Sequence, residues 1–476
     1  MRNERADRVN FWLAVLVLAT SQVLCNGPDG LAGSVIAGTG LQLLSIATIV
    51  GCIASWQGRR ISNPDRLLLA MLAGVLLLAA IELVPLPPAL WTSLAGRSVL
   101  SADMQRIGVT AGWHALSLSP IASERSLLAL LPAIAIYLAA RNAGWSGRKR
   151  FLQIVMALGL FSALLGIAQV SAGPDSDLRL YRPSNLSDAV GFFANRNHYG
   201  SLLAMLLPFA IGWAIHEFQR CRGIGHAWIV RLLLPCGAMF VLFIGILLSH
   251  SRAGLLLAAL AGMGGLALLW RSGARVRVVL VVGVCGVLAG VLALQIAGGD
   301  VVSRVTALQI GADTRWPVQA TTLLATHRYG AFGSGLGTFV NAYQSVAPDY
   351  QVDQNAYVNH ANNDYLELWL ETGWPGGALI VLFFIWYGRV AMKLWLSSRQ
   401  STAGLMLARA ASLSLLLALT HAALEYQLRK PGIMVLFALG CALLSKQATG
   451  SSGKRPARLR SEVSAPPRSR RASSTD

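Results

Sequence analysis

The sequence predicts an all-α polytopic membrane protein of about 12 transmembrane helices. Three observations carry that reading. The chain has 476 residues, of which 54% are hydrophobic and only 13% charged, with a mean hydropathy of +0.55. A soluble chain of this size carries roughly a quarter charged residues. The apolar residues fall in blocks close to the ~20 needed to cross a bilayer core. Lysine and arginine then segregate to one side when the blocks are threaded through a membrane.

The blocks lie near 9–25, 31–55, 66–86, 126–143, 151–171, 197–216, 228–248, 253–270, 277–297, 375–395, 404–424 and 431–446. The first ends in Gln22-Val23-Leu24-Cys25, a poor cleavage or lipidation site, so it reads as an anchor. With the N-terminus inside, the inner connections hold Arg59, Arg60 and Arg66, then Arg141, Arg148, Lys149 and Arg150, then Arg220, Arg222 and Arg231, then Arg271, Arg275 and Arg277. Arg389, Lys393, Arg399 and the tail follow on the same side. The outer segments keep only twelve of the 40 basic residues, among them Arg97, Arg196, Arg252, Arg315 and Arg429. Both ends are therefore expected to be cytoplasmic.

A net charge of +19 raises the question of a nucleic-acid partner. Its distribution answers that question: the charge is the inner-side bias of a membrane protein. The expected organisation is a transmembrane domain over 1–446 and a disordered basic tail over 447–476, rich in Ser, Pro, Arg and Lys. The bland reading of that tail is contact with anionic lipid. Six cysteines (Cys25, Cys52, Cys221, Cys236, Cys285, Cys441) lie in or beside apolar blocks. They show no metal-type pairing and no spacing that predicts a disulfide.

Three long loops, 87–125, 172–196 and 298–374, face outward, where the chain has room for chemistry. The last closes on Asn359-His360-Ala361-Asn362-Asn363-Asp364-Tyr365-Leu366-Glu367-Leu368-Trp369-Leu370-Glu371-Thr372-Gly373. Asn362 or Asn363 can cap a short helix here, and Gly373 with Pro375 ends it. Asp364, Glu367 and Glu371 fall at i, i+3 and i+7 on one face. With Leu366, Trp369 and Leu370 opposite, the pattern predicts an amphipathic helix at the membrane surface with its acidic face toward water. A solvated charged face is also the plain alternative to any catalytic reading.

Three other polar groups share that side. They are Asn195-Arg196-Asn197-His198-Tyr199 at the entry to a span, Ser249-His250-Ser251-Arg252-Ala253-Gly254 in a short turn, and Asp313-Thr314-Arg315-Trp316 with the run Gly333-Ser334-Gly335-Leu336-Gly337-Thr338-Phe339. A lone arginine near a span end usually snorkels to the interface. The glycine run lacks the Lys-Ser/Thr of a phosphate loop, and a tight turn explains it better. His198 and His250 have the same bland reading as interfacial histidines. Their convergence is the signal: several arginines stand outside in a chain that otherwise keeps positive charge inside. The guanidinium fork suits bidentate contacts with phosphate oxygens.

Taken in order, Asn195–Tyr199, Ser251–Gly254, Gly333–Phe339 and Asn362-Asn363-Asp364-Tyr365-Leu366-Glu367 resemble the O-antigen ligase and polymerase superfamily. The stretch His421 to Pro431 also looks familial, and the resemblance covers roughly 125–445. It implies a GT-C-like fold and a metal-independent, inverting glycosyltransferase of the bacterial inner membrane, with no cofactor. Members transfer a glycan from an undecaprenyl-pyrophosphate carrier to an acceptor at the periplasmic face. Ligases deliver to lipid A-core in lipopolysaccharide assembly; polymerases deliver to another carrier-linked repeat. The implied partners are the carrier-linked glycan, a lipid or glycan acceptor and membrane lipids, with no nucleic acid. The implied donor contacts are Arg196, Arg252 and Arg315, with Asn195, His198, Asn362 and Asn363 beside them.

One departure matters. Gly373 and Gly376 fit the glycines of the ligase pattern, which puts the family's histidine on Asn362. Asn362 cannot act as a base near neutral pH. His360, two residues earlier, is the nearest titratable substitute, with Asp364 as a second candidate. His360 reaches the site only if the chain before Asn363 is not helical. A transporter is the competing class. Transporters place charge and broken helices at the membrane midplane, whereas these spans are nearly free of charge at their centres.

Overall fold

The computed structural model describes residues 2–27, 32–56, 61–110, 112–181, 186–220, 227–272, 315–348, 358–397 and 402–448. The expected span 277–297, Cys221, Cys285, the arginines at 59, 60, 222, 275, 277 and 399, and the tail from 449 lie outside them.

The chain is an all-α polytopic membrane protein. Its helices are α1 (Arg2–Val23), α2 (Ala32–Ala54), α3 (Asn63–Glu82), α4 (Pro88–Ser93), α5 (Arg97–Arg106), α6 (Pro120–Ala129), α7 (Leu131–Asn142) and α8 (Trp145–Ser171). They continue with α9 (Arg196–Arg220), α10 (Ala227–Leu248), α11 (Arg252–Arg271), α12 (Arg315–Tyr329), α13 (Phe339–Gln344), α14 (Asp364–Leu396), α15 (Ala403–Ala422) and α16 (Pro431–Ala448). Nine helical stretches among the described residues are long and apolar enough to cross a membrane, with α6 and α7 counting together. They match nine of the twelve expected blocks. The block 431–446 forms a shorter apolar helix, and 9–25 lies in α1, which carries Arg2, Glu4, Arg5, Asp7 and Arg8 in its first turns.

Starts are fixed by local caps. Ser62, Ser251, Asn363 and Thr402 each accept a backbone N–H from the first turn of α3, α11, α14 and α15. The bundle is organised around α9, whose apolar window is 78% buried. It packs against α10, α11 and α15, while α1 packs against α2, α7, α8 and α16. One end of the bundle carries α4 to α6, α12, α13 and a two-residue antiparallel ribbon pairing Pro85–Leu86 with His114–Ala115. The motif residues gather at this end.

The stretch expected as a separate surface helix is the first part of α14. Gly373 breaks it, at φ 60° and ψ −145°, and the chain runs on through Pro375 into the span. The break frees the Leu370 and Glu371 carbonyls, since Pro375 has no N–H to return to Glu371. The glycine run answers them: Ser334 and Gly335 donate their N–H groups at 3.0 and 2.7 Å. That approach requires glycine at 333, where a Cβ would lie 2.4 Å from the Glu371 oxygen.

Candidate functional site

The acidic face of α14 does not meet water. Asp364 is 8% exposed, and Glu367 and Glu371 are fully buried. The expectation of a solvated face is therefore corrected, and the physical reason is Arg429. It sits just before α16, where the three carboxylates converge. Its Nε lies 3.1 Å from Glu367 and 3.8 Å from Asp364, and a terminal nitrogen lies 2.8 Å from Glu371. Burial alone would lower the Arg429 pKa; Glu367, Glu371 and Asp364 together raise it above its ordinary value, so it stays charged. Backbone donors complete the carboxylates: Leu428 N–H to Asp364, Ala361 N–H to Glu367 and Phe339 N–H to Glu371.

His360 joins this cluster. Residues 358–363 are not helical, and Asn362 takes φ +53°, a left-handed conformation that asparagine tolerates. The turn carries His360 back over α14, so its Nδ1 lies 2.8 Å from Glu367 Oε1. Asn362 itself points elsewhere in the backbone network, its carbonyl accepting from Gln319 at 3.1 Å. Asn363 is the cap, receiving the N–H groups of Tyr365 and Leu366.

The segment 425–430 stitches this acidic half to the arginine half. The Tyr426 ring stacks on His360 at 4.0 Å and meets His198 edge-on at 4.8 Å. Its neighbour Glu425 accepts from Asn197 at 2.9 Å and pairs with Arg315 at 3.2 Å, and His198 Nε2 lies 3.8 Å away. Burial raises the Glu425 carboxyl above its ordinary pKa, with Arg315, Asn197 and the Tyr426 N–H pulling it partly back.

Arg196 begins α9 and pairs with Asp188 at 2.6 Å; His250 Nδ1 holds the other oxygen of Asp188 at 2.7 Å. Burial would raise the Asp188 carboxyl, but His250 and Arg196 bring it below its usual range. Asn195 turns inward on its own segment, its side chain accepting the Asn197 N–H at 2.8 Å. Ser251 donates to Asn197 at 2.8 Å, which ties the N-termini of α9 and α11 side by side. Arg252 stands exposed on the first turn of α11. Two adjacent helix N-termini with arginines on their first turns suit an anion.

The structure thus brings His360, Asp364, Asn363 and His198 into one cluster with Arg315, and places Arg196, Asn195 and Arg252 on the adjoining helix starts. Sequence reasoning missed Glu425, Tyr426 and Asp188, and counted Arg429 only as an outer charge. The one available signal was the stretch His421 to Pro431. Among the described residues, no group of three or more His, Cys, Asp or Glu is arranged to hold a metal ion.

Fold and site together define a multi-pass helical membrane protein with a buried ionic cluster at one end. Residues 237–381 match the family model described as O-Antigen ligase, and this supports placing the chain in the O-antigen ligase superfamily. The matched stretch contains the turn before α11, the glycine run and the first part of α14; α9 and the segment 425–430 lie outside it. A search of curated proteins finds no match.

Proposed function

We propose that the chain is an O-antigen ligase-like transferase of the bacterial inner membrane. It moves a glycan from an undecaprenyl-pyrophosphate carrier to an acceptor hydroxyl, without a metal, and the site end of the bundle is periplasmic. The observation that carries this reading is the His360–Glu367 pair at 2.8 Å, set beside two helix N-termini bearing Arg196 and Arg252.

The donor pyrophosphate lies at those N-termini. Asp188 and Glu425 hold the forks of Arg196 and Arg315, whose remaining N–H donors face the phosphate oxygens. Asn195, Asn197 and His198 shape the same wall. The acceptor oxygen bonds to the anomeric carbon as the bond from that carbon to the phosphate oxygen breaks, and the electron pair leaves with the carrier pyrophosphate. Fixed guanidinium groups in a water-poor site stabilise the charge that develops there. His360 takes the hydroxyl proton on Nε2 while ionised Glu367 holds Nδ1–H, fixing the tautomer and stabilising the imidazolium. Asp364 and Asn362 line the turn that presents His360. Attack opposite the leaving group inverts the anomeric centre.

Deleting the gene and analysing surface glycan together with carrier-linked material tests the proposal. Full-length glycan stranded on the carrier supports ligation. Single stranded repeats would make the protein a polymerase, and unchanged glycans on both sides would end the reading.

A further inference from the structure

We infer that Asn26, at the end of α1, is a positioning residue that sets Arg429 and the start of α9 in register with each other. The inference rests on the transfer reaction proposed above, but its geometry stands independently.

Asn26 is 1% exposed and uses both ends of its amide. Its Nδ2 donates to the Ser21 and Gln22 carbonyls at 2.9 and 2.7 Å, closing the last turn of α1. Its Oδ1 accepts the Gly432 N–H at 3.0 Å, and its own carbonyl accepts the Ala194 N–H at 3.2 Å. One residue therefore grips both strands of the site. Ala194 leads directly into Asn195 and Arg196; Gly432 lies three residues after Arg429. Gln22, equally buried, repeats the grip by donating to the Gly432 carbonyl at 2.6 Å. Lys430 Nζ reaches the Gly27 carbonyl at 3.5 Å.

The contacts to Gly432 join distant parts of the sequence: 406 positions for Asn26 and 410 for Gln22. Among the described residues, Asn26 makes none of its hydrogen bonds to the carboxylates. Its effect passes through backbone groups to Arg429, the cation shared by Asp364, Glu367 and Glu371. Since Glu367 also holds His360, a displaced Arg429 changes the charge that the base feels. The titratable and charged groups around His360 and Glu367 are Asp364, Glu371, Glu425, Arg429 and Tyr426, with His198 and Lys430 against the Tyr426 ring. Withdrawing Arg429 from Glu367 favours imidazolium.

Two variants break the contact from opposite sides. Asn26→Ala removes the amide. Gly432→Ala places a Cβ 2.8 Å from the Asn26 Oδ1 while keeping a good helix former in α16. Amide hydrogen exchange on purified full-length protein reads the contact without any assay of transfer: both variants speed exchange at Gly432 and across 425–432 by about tenfold or more. With carrier-linked glycan as donor, turnover falls by roughly 10²-fold, the cost of a misplacement of about 1 Å. KM stays within about twofold, and the acidic limb of the turnover profile moves to higher pH. The double variant is no worse than the more severe single one, because one contact is lost twice. Unchanged exchange overturns the contact itself. Faster exchange with an unchanged pH profile and turnover leaves only a packing role and overturns the positioning. A wild-type protein with no transfer activity defeats the proposed function, while the exchange result still decides the contact.

Discussion

Both ends of the bundle bury carboxylates near an arginine, and they do so differently. At the end away from the site, Asp65 of α3 is fully buried. It accepts hydrogen bonds from Ser62 at 2.6 Å, Ser445 at 2.7 Å and Tyr137 at 3.2 Å, with Arg141 Nε at 3.7 Å. Arg141 lies over the Trp56 ring at 4.2 Å, and Arg409 of α15 donates to the Leu394 carbonyl. The partners of Asp65 sit on α7, α16 and the cap of α3, so the aspartate locks spans together. At the site end, Arg429 pairs with three carboxylates, one of which also holds His360, and Arg429 and His360 come from the segments 425–430 and 358–363. The first arrangement surrounds one carboxylate with three hydroxyl donors and sets a single arginine beside it. The second gathers three buried carboxylates and His360 around Arg429, an arrangement suited to holding a proton on the imidazole.

The comparison breaks first at Arg429. Arg429→Leu strands Glu367 and Glu371, and removing one partner of a buried ion pair costs about 3–5 kcal/mol. The expected outcome is a large drop in thermal stability together with loss of transfer. A variant that melts like wild type would mean the cluster is not held by this cation.

His360 comes next. His360→Ala should lower turnover by roughly 10²–10⁴-fold, as for the loss of a general base, with binding of the carrier-linked donor largely kept. Asn362→His in that background should recover part of the rate, read in the same assay. Full activity in His360→Ala would move the role to Asp364 or His198.

Arg252 probes the helix starts. Arg252→Lys should fail almost as badly as Arg252→Ala, because a point charge does not reproduce the fork. Intact transfer by an inserted Arg252→Ala protein would remove Arg252 from the donor site.

Asp65→Asn sharpens the contrast from the other end. Losing the carboxylate beside Arg141 should cost on the order of 1–3 kcal/mol of stability and leave turnover per folded molecule unchanged. A change in the pH profile would show that the two ends are coupled. The smallest effect is expected from chelation: purified activity should survive EDTA, and loss restored by Mg²⁺ or Mn²⁺ would contradict the metal-independent reading.

Spans were legible because bilayer thickness imposes a length on apolar segments, a signal that is local in sequence. The site was legible where a residue and its role lie close together. His360, Asn363 and Asp364 could be placed from one turn, and the irregular backbone before Asn363 is what brings His360 to Glu367. The acidic face was misread because i, i+3, i+7 spacing is identical for a solvated face and an ionic core. The cation that decides between them, Arg429, is 58 residues beyond Glu371. Glu425 and Asp188 were invisible for the same reason, since each gains meaning only from a partner brought in by tertiary packing.

Gly373 has a consequence for how the protein meets membranes of different thickness. A continuous rod from Asp364 to Leu396 would pass any tilt of its lipid-embedded part straight to Glu367. The break at Gly373, with Ser334 and Gly335 pinning the freed carbonyls, separates the long segment below from the upper turns, which are held by the glycine run. Spans adjust to a thinner or thicker bilayer chiefly by tilting. The turns that carry Asp364 and Glu367 are thereby uncoupled from a straight rod through the bilayer, and a residue with a side chain at 373, whose Cβ would lie 2.1 Å from the Ala331 oxygen, would not fit this break.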